Sequence, residues 1–183
     1  MRVIAGQARG RPLRSLRGTA MRPTPARVRA ALFSILGESI LGGAFLDLYA
    51  GTGAVGIEAL SRGAPCADFV EQHGPACRVL AQNLAATGLD GRARVIAVPV
   101  ARFLARPADR TYAVVFADPP YGLGQGERVL SALAGWSGVV AETLVVVQHS
   151  GREDISSRGW RLLRRETYGE TRLSFYKLEG GAH

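Results

Sequence analysis

A strand, a glycine-rich turn and the start of a helix follow one another in Phe45-Leu46-Asp47-Leu48-Tyr49-Ala50-Gly51-Thr52-Gly53-Ala54-Val55-Gly56. The spacing Gly-x-Gly-x-x-Gly is the fingerprint of a nucleotide-cofactor turn, and Glu71 lies twenty residues after Gly51. Such glycines indicate only that a ligand approaches the backbone closely at a helix N-terminus. A nicotinamide dinucleotide and S-adenosyl-L-methionine both fit this pattern.

The rest of the chain alternates between apolar strands and amphipathic helices. Strands are predicted at 44–49, 66–71, 93–97, 112–117 and 142–148, and helices near 54–62, 75–87, 100–105 and 126–134. This alternation predicts an α/β, Rossmann-like fold with a mostly parallel sheet covered on both faces. An earlier helix is predicted from Thr24-Pro25 with Thr24 as its cap, and strands at 160–165 and 171–177 predict a closing antiparallel hairpin.

The length and composition predict a single domain without a metal site or a membrane span. The 183 residues suffice for one domain with its own core. Cys66, Cys77 and the three histidines have no metal-ligand spacing, so we expect no metal. No apolar run approaches the ~18 residues of a membrane span and no signal peptide follows Met1, so we expect a cytoplasmic protein without a membrane partner.

The net charge of +8 is concentrated at one end of the chain. Residues 1–37 contain eight arginines and no acid, and the remaining residues balance 15 bases against 15 acids. Such a segment predicts a nucleic-acid surface, because basic side chains displace the counterions of phosphates; a solvated basic face is the alternative. We expect residues 1–20 to form a basic hairpin arm and residues 21–183 the main domain. The expected nucleic-acid contacts are Arg2, Arg9, Arg11, Arg14, Arg22 and Arg27.

Asp47 distinguishes between the two cofactors. A carboxylate before the turn repels a pyrophosphate and suits a sulfonium ligand with a free ammonium group. Glu71 would then bind both ribose hydroxyls, while the adenine would lie among Gln72, Val100 and Ala101. The turn residues Gly51, Thr52 and Gly53 would approach the cofactor through their backbone. The alternative is that Asp47 only caps the turn and that Glu71 faces solvent.

Asp118-Pro119-Pro120-Tyr121 follows the fourth predicted strand, at the sheet edge where open α/β sheets bind ligands. Asp118 and the Pro119 carbonyl can accept the hydrogens of an exocyclic amine, while Tyr121 can stack on the base that carries it. Pro-Pro also ends strands in proteins without such a site. Because the cofactor turn would face this motif across the same edge, the two together predict an amino-methyltransferase.

Several stretches resemble the RsmD family over nearly the whole chain. They are Ile4-Ala5-Gly6-x-x-Arg9-Gly10-Arg11-x-Leu13, Arg22-Pro23-Thr24-Pro25-x-Arg27-Val28-Arg29, the segment from Leu46 to Ala64, and Asp118-Pro119-Pro120-Tyr121. The resemblance implies a seven-stranded class I methyltransferase fold and methylation of guanine N2 in 16S rRNA, in an assembling or assembled small subunit. Three residues depart from the family pattern: Ala26 and Ala30 replace acids, and Val100 replaces a polar residue that helps to hold adenine.

Other functions remain open at this point. A DNA methyltransferase acting on the amine of adenine or cytosine uses the same motif, although it normally carries a target-recognition domain. Cytosine-C5 methylation needs a cysteine near the target, whereas position 118 offers a carboxylate. A catalytically silent RNA-binding module needs only the basic arm. An NAD-dependent oxidoreductase lacks a residue placed for hydride chemistry.

Overall fold

The computed structural model of the protein describes residues 1–16, 24–120, 122 and 124–180. Arg22 and Tyr121, which have predicted roles, lie outside these ranges. The strands are β1 (Ala44–Leu48), β2 (Ala67–Val70), β3 (Ala93–Ile96), β4 (Tyr112–Ala117), β5 (Leu144–Ser150), β6 (Trp160–Tyr168) and β7 (Thr171–Leu178). The α-helices are α1 (Ala26–Leu36), α2 (Ala54–Ser61), α3 (Gly74–Thr87), α4 (Val100–Leu104) and α5 (Gln125–Ala134), and short 3₁₀ helices cover Gly37–Leu41 and Asp90–Arg92.

The strands form one seven-stranded sheet in the order β3-β2-β1-β4-β5-β7-β6. Strands β1 to β5 run parallel, and β7 pairs antiparallel with both β5 and β6. The predicted α/β fold with a closing C-terminal hairpin is therefore confirmed. Because the strand order reverses between β1 and β4, a ligand crevice is expected at the carboxyl ends of these two strands.

Both faces of the central strands are covered, which explains their nearly continuous apolar sequences. Phe45 and Leu46 are adjacent in β1 and belong to separate core clusters, because successive side chains of a strand point to opposite faces. The first cluster includes Leu32 of α1, Leu60 of α2 and Leu80 of α3, and the second includes Leu130 of α5 and Trp136. Within the described ranges, no helix has the length and apolar character that crossing a membrane requires.

The predicted boundaries hold to within two residues for the parallel strands and their helices. The start of α1 differs in its cap. Pro25 occupies the N-cap position and no side chain caps the helix, so the predicted capping role of Thr24 is wrong. The Thr24 hydroxyl instead donates to Oε1 of Gln148 at 3.4 Å, because the helix begins against the sheet and a buried partner is available there.

Residues 1–16 form a small hairpin, here called the arm, which packs on α2. A β-bridge joins Arg2 to Pro12, and the Val3 amide donates to the Arg11 carbonyl at 3.0 Å. The apolar side chains of the arm are buried in the same core cluster as α1, α2 and α3; they are Val3, Ala8 and Leu13. The arm therefore has a fixed place on the main domain.

Glu58 of α2 is the anchor of the arm. Its carboxylate is fully buried and accepts the amide hydrogens of Ile4 at 2.8 Å and Ala5 at 3.0 Å. Arg62 Nε donates to the same carboxylate at 2.8 Å, and Arg29 Nε lies 3.6 Å away. Two backbone amides and two guanidinium groups thus converge on one carboxylate.

Arg29 completes this anchor and is itself fully buried. Its Nη2 donates to the carbonyl of Arg2 at 2.6 Å. Burial lowers the pKa of Arg29, while the neighbouring Glu58 charge raises it. One of the eight N-terminal arginines therefore holds the arm in place and does not contribute to an exposed basic surface.

The substitution Glu58→Gln tests this anchor. It leaves the Arg29 charge buried without its carboxylate, and breaking a buried ion pair from one side costs about 3–5 kcal/mol. We expect the free energy of unfolding in urea to fall by that amount and the amides of Ile4 and Ala5 to exchange faster. The exposed Glu142 provides the control, since Glu142→Gln should change stability by less than about 0.5 kcal/mol. Equal stability of the two variants would contradict the anchoring role.

Candidate cofactor and target-base site

Three carboxylates meet at the carboxyl edge of the sheet, at the reversal of strand order. Asp47 lies in β1, Glu71 directly follows β2, and Asp118 directly follows β4. The charges of Asp118 and Glu71 both raise the pKa of Asp47, so the three groups share one electrostatic environment. The structure thus brings together the predicted cofactor acids and the predicted catalytic acid.

The turn between β1 and α2 is tight for reasons of packing. Tyr49 adopts a positive φ of 61°, a rare conformation for a residue with a side chain. A Cβ at Gly53 would lie 2.0 Å from Cδ1 of Leu80, and a Cβ at Gly56 would lie 2.3 Å from the Phe69 ring. Gly53 and Gly56 are therefore required by the fit of α2 against α3 and β2, besides any ligand.

Asp47 holds this turn from below. It is 2% exposed, and its Oδ2 accepts the Gly56 amide hydrogen at 2.8 Å. Burial is the main cause that raises its pKa to about 7; the Gly56 hydrogen bond opposes the rise and the Asp118 and Glu71 charges add to it. The alternative that Asp47 caps the turn is thus correct as far as the hydrogen bond goes, because Asp47 does bind the first turn of α2. Its charge is nonetheless costly unless a cation lies nearby.

Glu71 faces inward and is 7% exposed, so the solvent-facing alternative is wrong. Its Oε2 accepts the Gly51 amide at 2.8 Å, and its Oε1 accepts the His73 amide at 2.7 Å. Each carboxylate oxygen has a second lone pair, so two ribose hydroxyls can still be bound. Through its hydrogen bond to the Gly51 amide, Glu71 also fixes the position of the glycine turn relative to the end of β2.

Asp118 directly follows β4, as Glu71 directly follows β2, and both of these strands pair with β1. Its amide donates to the Leu48 carbonyl at 3.3 Å, which continues the parallel pairing one residue beyond β4. Burial raises the pKa of its carboxyl to about 7, and a hydrogen bond from Gln148 opposes the rise. Pro119 is buried and Pro120 is exposed, while the described ranges do not include Tyr121.

The residues predicted around adenine differ in their exposure to solvent. Val100 is buried at the start of α4, after Pro99 at the N-cap. Gln72 and Ala101 are both exposed. A burial of this kind for Val100 suits packing against a flat ring, whereas polar recognition would fall to the backbone. Among the described residues no cluster of metal-ligating side chains is present.

Those predicted nucleic-acid contacts that the structure describes lie on the arm and α1. The described ones are all exposed: Arg2, Arg9, Arg11, Arg14 and Arg27. Arg2 donates to the Gly10 carbonyl at 2.9 Å, so part of its guanidinium holds the hairpin. Arg14 Nη1 donates to Gln82 Oε1 at 3.1 Å, close to the cofactor turn. Arg22 lies outside the described residues.

Two buried amides that the sequence analysis missed support the site. Asn83 of α3 is 1% exposed and bonds both the arm and the turn residue Thr52. Gln148 of β5 is 2% exposed and lies between Thr24 and Asp118. Each is a polar residue on an otherwise apolar strand or helix face, and that break in the pattern was the available signal.

Comparisons with known proteins give the family of the chain and the relatives of its fold. A sequence model of the family described as Conserved hypothetical protein 95 matches residues 1–177. The Ribosomal RNA small subunit methyltransferase D of Escherichia coli K12 is 34% identical over 98% of this chain and 90% of its own. A hypothetical protein of Thermus thermophilus has a similar structure, with a TM-score of 0.83, 36% identity and coverage of 97% of this chain and 99% of that one.

A more distant structure has the same fold. An RNA methyltransferase from Salinibacter ruber in complex with S-adenosyl-L-homocysteine matches with a TM-score of 0.67, over 86% of this chain and 94% of that one. Its 17% identity establishes only the shared class I methyltransferase architecture. The near full-length matches above establish more, and confirm that this chain belongs to the Conserved hypothetical protein 95 family, the RsmD family of methyltransferases.

Proposed function

We propose that this protein transfers a methyl group from S-adenosyl-L-methionine to the exocyclic N2 amine of a guanine in 16S rRNA of the small subunit. The observation that carries the proposal is the position of Asp118 opposite Asp47 at the reversal of strand order. The relatives named small subunit rRNA methyltransferase D support rRNA as the polymer. The choice of guanine N2 comes from the family resemblance.

The cofactor of this class I methyltransferase is S-adenosyl-L-methionine. Its sulfonium supplies an activated methyl group, and Asp47, Glu71 and Asp118 suit its positive charge. Asp47 would attract the ammonium group, Glu71 would offer its remaining lone pairs to the ribose, and Val100 would pack against the adenine. The backbone of Gly51, Thr52 and Gly53 would set how closely the cofactor can approach the turn.

Asp118 positions the attacking amine. The lone pair of an aromatic amine is delocalised into the ring, so the reaction needs orientation more than a strong base. Asp118 and the Pro119 carbonyl would accept the two N–H hydrogens, which favours a tetrahedral nitrogen with its lone pair directed at the methyl carbon. The N–C bond would form as the S–C bond breaks, and the electron pair of the S–C bond would remain on sulfur. Positioning of this kind supplies up to roughly 7–11 kcal/mol. The nitrogen loses one proton after transfer, and a carboxylate whose pKa is about 7 can accept it.

The exposed arginines of the arm would hold the phosphates of the RNA, and Tyr121 would stack on the target base. A base in a helix is unreachable for the methyl donor, so it must swing out of the stack. The arm packs against α2, directly after the cofactor turn, so the RNA backbone would be held beside the crevice.

Nucleoside mapping of a strain that lacks the gene tests the function directly. We expect the loss of one N2-methylguanosine from 16S rRNA, restored by the wild-type gene and not by Asp118→Ala. An unchanged N2-methylguanosine content, or the loss of a methylated base from genomic DNA, would overturn the proposal.

Asp118→Ala should separate catalysis from cofactor binding in the purified protein. The variant loses the acceptor that orients the amine, so we expect kcat in a tritium-methyl transfer assay to fall by at least about 10²-fold. The affinity for S-adenosylhomocysteine in calorimetry should remain within roughly tenfold of the wild type. Asp90→Ala, at an exposed position in a 3₁₀ helix, is the control and should retain activity. Retained turnover by Asp118→Ala would rule out this role.

The pH dependence should report the carboxyl groups of Asp47 and Asp118. Because the pKa values of Asp47 and Asp118 are about 7 in the free protein, both groups become protonated as the pH falls below that value. A neutral Asp118 accepts amine hydrogens weakly and a neutral Asp47 attracts a cation less. We therefore expect kcat/KM for S-adenosylmethionine to rise with pH through about 7. The rise in kcat should occur at lower pH, since the bound cation favours the carboxylates; a flat kcat/KM would contradict this.

The double substitution Arg9→Ala and Arg11→Ala tests the arm while leaving its buried side chains in place. If both arginines contact phosphates, the negative slope of log RNA affinity against log salt concentration should become shallower by about 1.4–1.8. Arg106→Ala, also at an exposed position but outside the arm, is the control with an unchanged slope. Equal slopes for the wild type and the double variant would exclude the arm as a phosphate-binding surface.

A further inference from the structure

Asn83 is a buried polar residue on the apolar side of α3. It is 1% exposed and follows Leu80 by three residues, so it faces the core. A buried amide must find hydrogen-bond partners or lose about 1–3 kcal/mol per unsatisfied group. The partners of Asn83 come from two parts of the chain that are otherwise far apart in sequence.

The first partner is the arm. Asn83 Oδ1 accepts the Arg14 amide hydrogen at 2.8 Å, and Asn83 Nδ2 donates to the Arg14 carbonyl at 3.0 Å. This bidentate contact fixes the backbone of Arg14 as a neighbouring strand would. The Arg14 guanidinium remains exposed, with Nη1 bonded to the neutral Gln82 side chain at 3.1 Å.

The second partner is the cofactor turn. The other hydrogen of Nδ2 is donated to the Thr52 carbonyl at 2.9 Å. Thr52 lies between Gly51 and Gly53, which both have positive φ, and the Gly51 amide donates to Glu71 Oε2 at 2.8 Å. Both amide hydrogens of Asn83 are therefore used, one on the arm and one on the turn.

We propose that Asn83 is a positioning residue that couples the arm to the cofactor turn, so that cofactor and RNA each strengthen the binding of the other. A displacement of Thr52 moves the side-chain amide of Asn83, whose other two hydrogen bonds hold the backbone of Arg14. Because Asn83 is buried, water cannot replace these hydrogen bonds. A phosphate bound by Arg14 would restrain the Arg14 backbone, and through it the same side-chain amide of Asn83. The RNA half of this proposal rests on the proposed function, whereas the link between turn and arm does not.

Calorimetry measures this coupling. S-adenosylhomocysteine is titrated into the protein with and without a saturating single-stranded RNA oligonucleotide, and the ratio of the two dissociation constants is the coupling factor. We expect a factor within about 5–150 for the wild type, and a factor near one for Asn83→Ala. Gln82→Ala is the matched control, because it removes the side-chain contact of Arg14 and leaves both backbone contacts. A wild-type factor of one, or an unchanged factor in Asn83→Ala, overturns the proposal.

Hydrogen exchange with the cofactor product alone separates this proposal from the proposed function. Saturating S-adenosylhomocysteine should slow exchange of the Arg14 amide in the wild type and in Gln82→Ala, and should leave it unchanged in Asn83→Asp, which keeps the acceptor and loses both donors. Should the variants fail to fold, the wild-type measurement decides alone, since an unchanged Arg14 amide overturns the link. Because no nucleic acid is present, a failure to find methylguanosine in vivo does not affect this result.

Discussion

The hydrogen bond from the Gly56 amide to the buried Asp47 carboxylate determines how the active edge is arranged. It ties the end of β1 to the first turn of α2, and the missing side chains at Gly53 and Gly56 let that helix lie directly against its neighbours. The position of α2 then sets the position of Glu58, which binds the amides of the arm. Ser61, one turn further along, accepts the Ala8 amide and donates to the Ala5 carbonyl. A single carboxylate under the cofactor turn thus fixes, through one helix, the placement of a segment expected to bind RNA.

The same edge carries an electrostatic cost that a cationic ligand would relieve. Asp47 and Asp118 have pKa values raised to about 7, mainly by burial, so the folded protein holds protons that the unfolded chain has released near pH 4. The free energy of unfolding contributed by these groups is therefore lost as the pH rises from about 4 through 7. A sulfonium and an ammonium close to the carboxylates would offset this loss at neutral pH. If the site binds a cation as proposed, its selectivity by charge comes at the expense of stability without the ligand.

The sequence predicted the fold well because local patterns determined it. The strand of residues 112–117 and the turn after Asp47 depend on apolar runs and glycine spacing, which are visible without tertiary contacts. Thr24 could not be assigned correctly, since its partner Gln148 is 124 residues away and belongs to another strand. Arg29 was counted with the basic surface for the same reason: only the packing of α1 on α2 reveals that it faces Glu58. Polar residues whose partners are distant in sequence are the part of the site that local patterns do not determine.

In the proposed function, the arm would act through its geometry as well as its charge. A loosely attached basic tail would attract RNA by its field alone and would leave the distance between phosphate and methyl donor undefined. Here the backbone of Ile4 and Ala5 is bonded to Glu58, and the backbone of Arg14 is bonded to Asn83. Both anchors are buried and both sit on helices that border the cofactor turn, so water does not compete for these bonds. The backbone that carries the exposed arginines is therefore fixed relative to the carboxyl edge. A phosphate bound by them would place its own strand at a defined position beside Asp118, and this registration is what selective methylation of one amine among many requires.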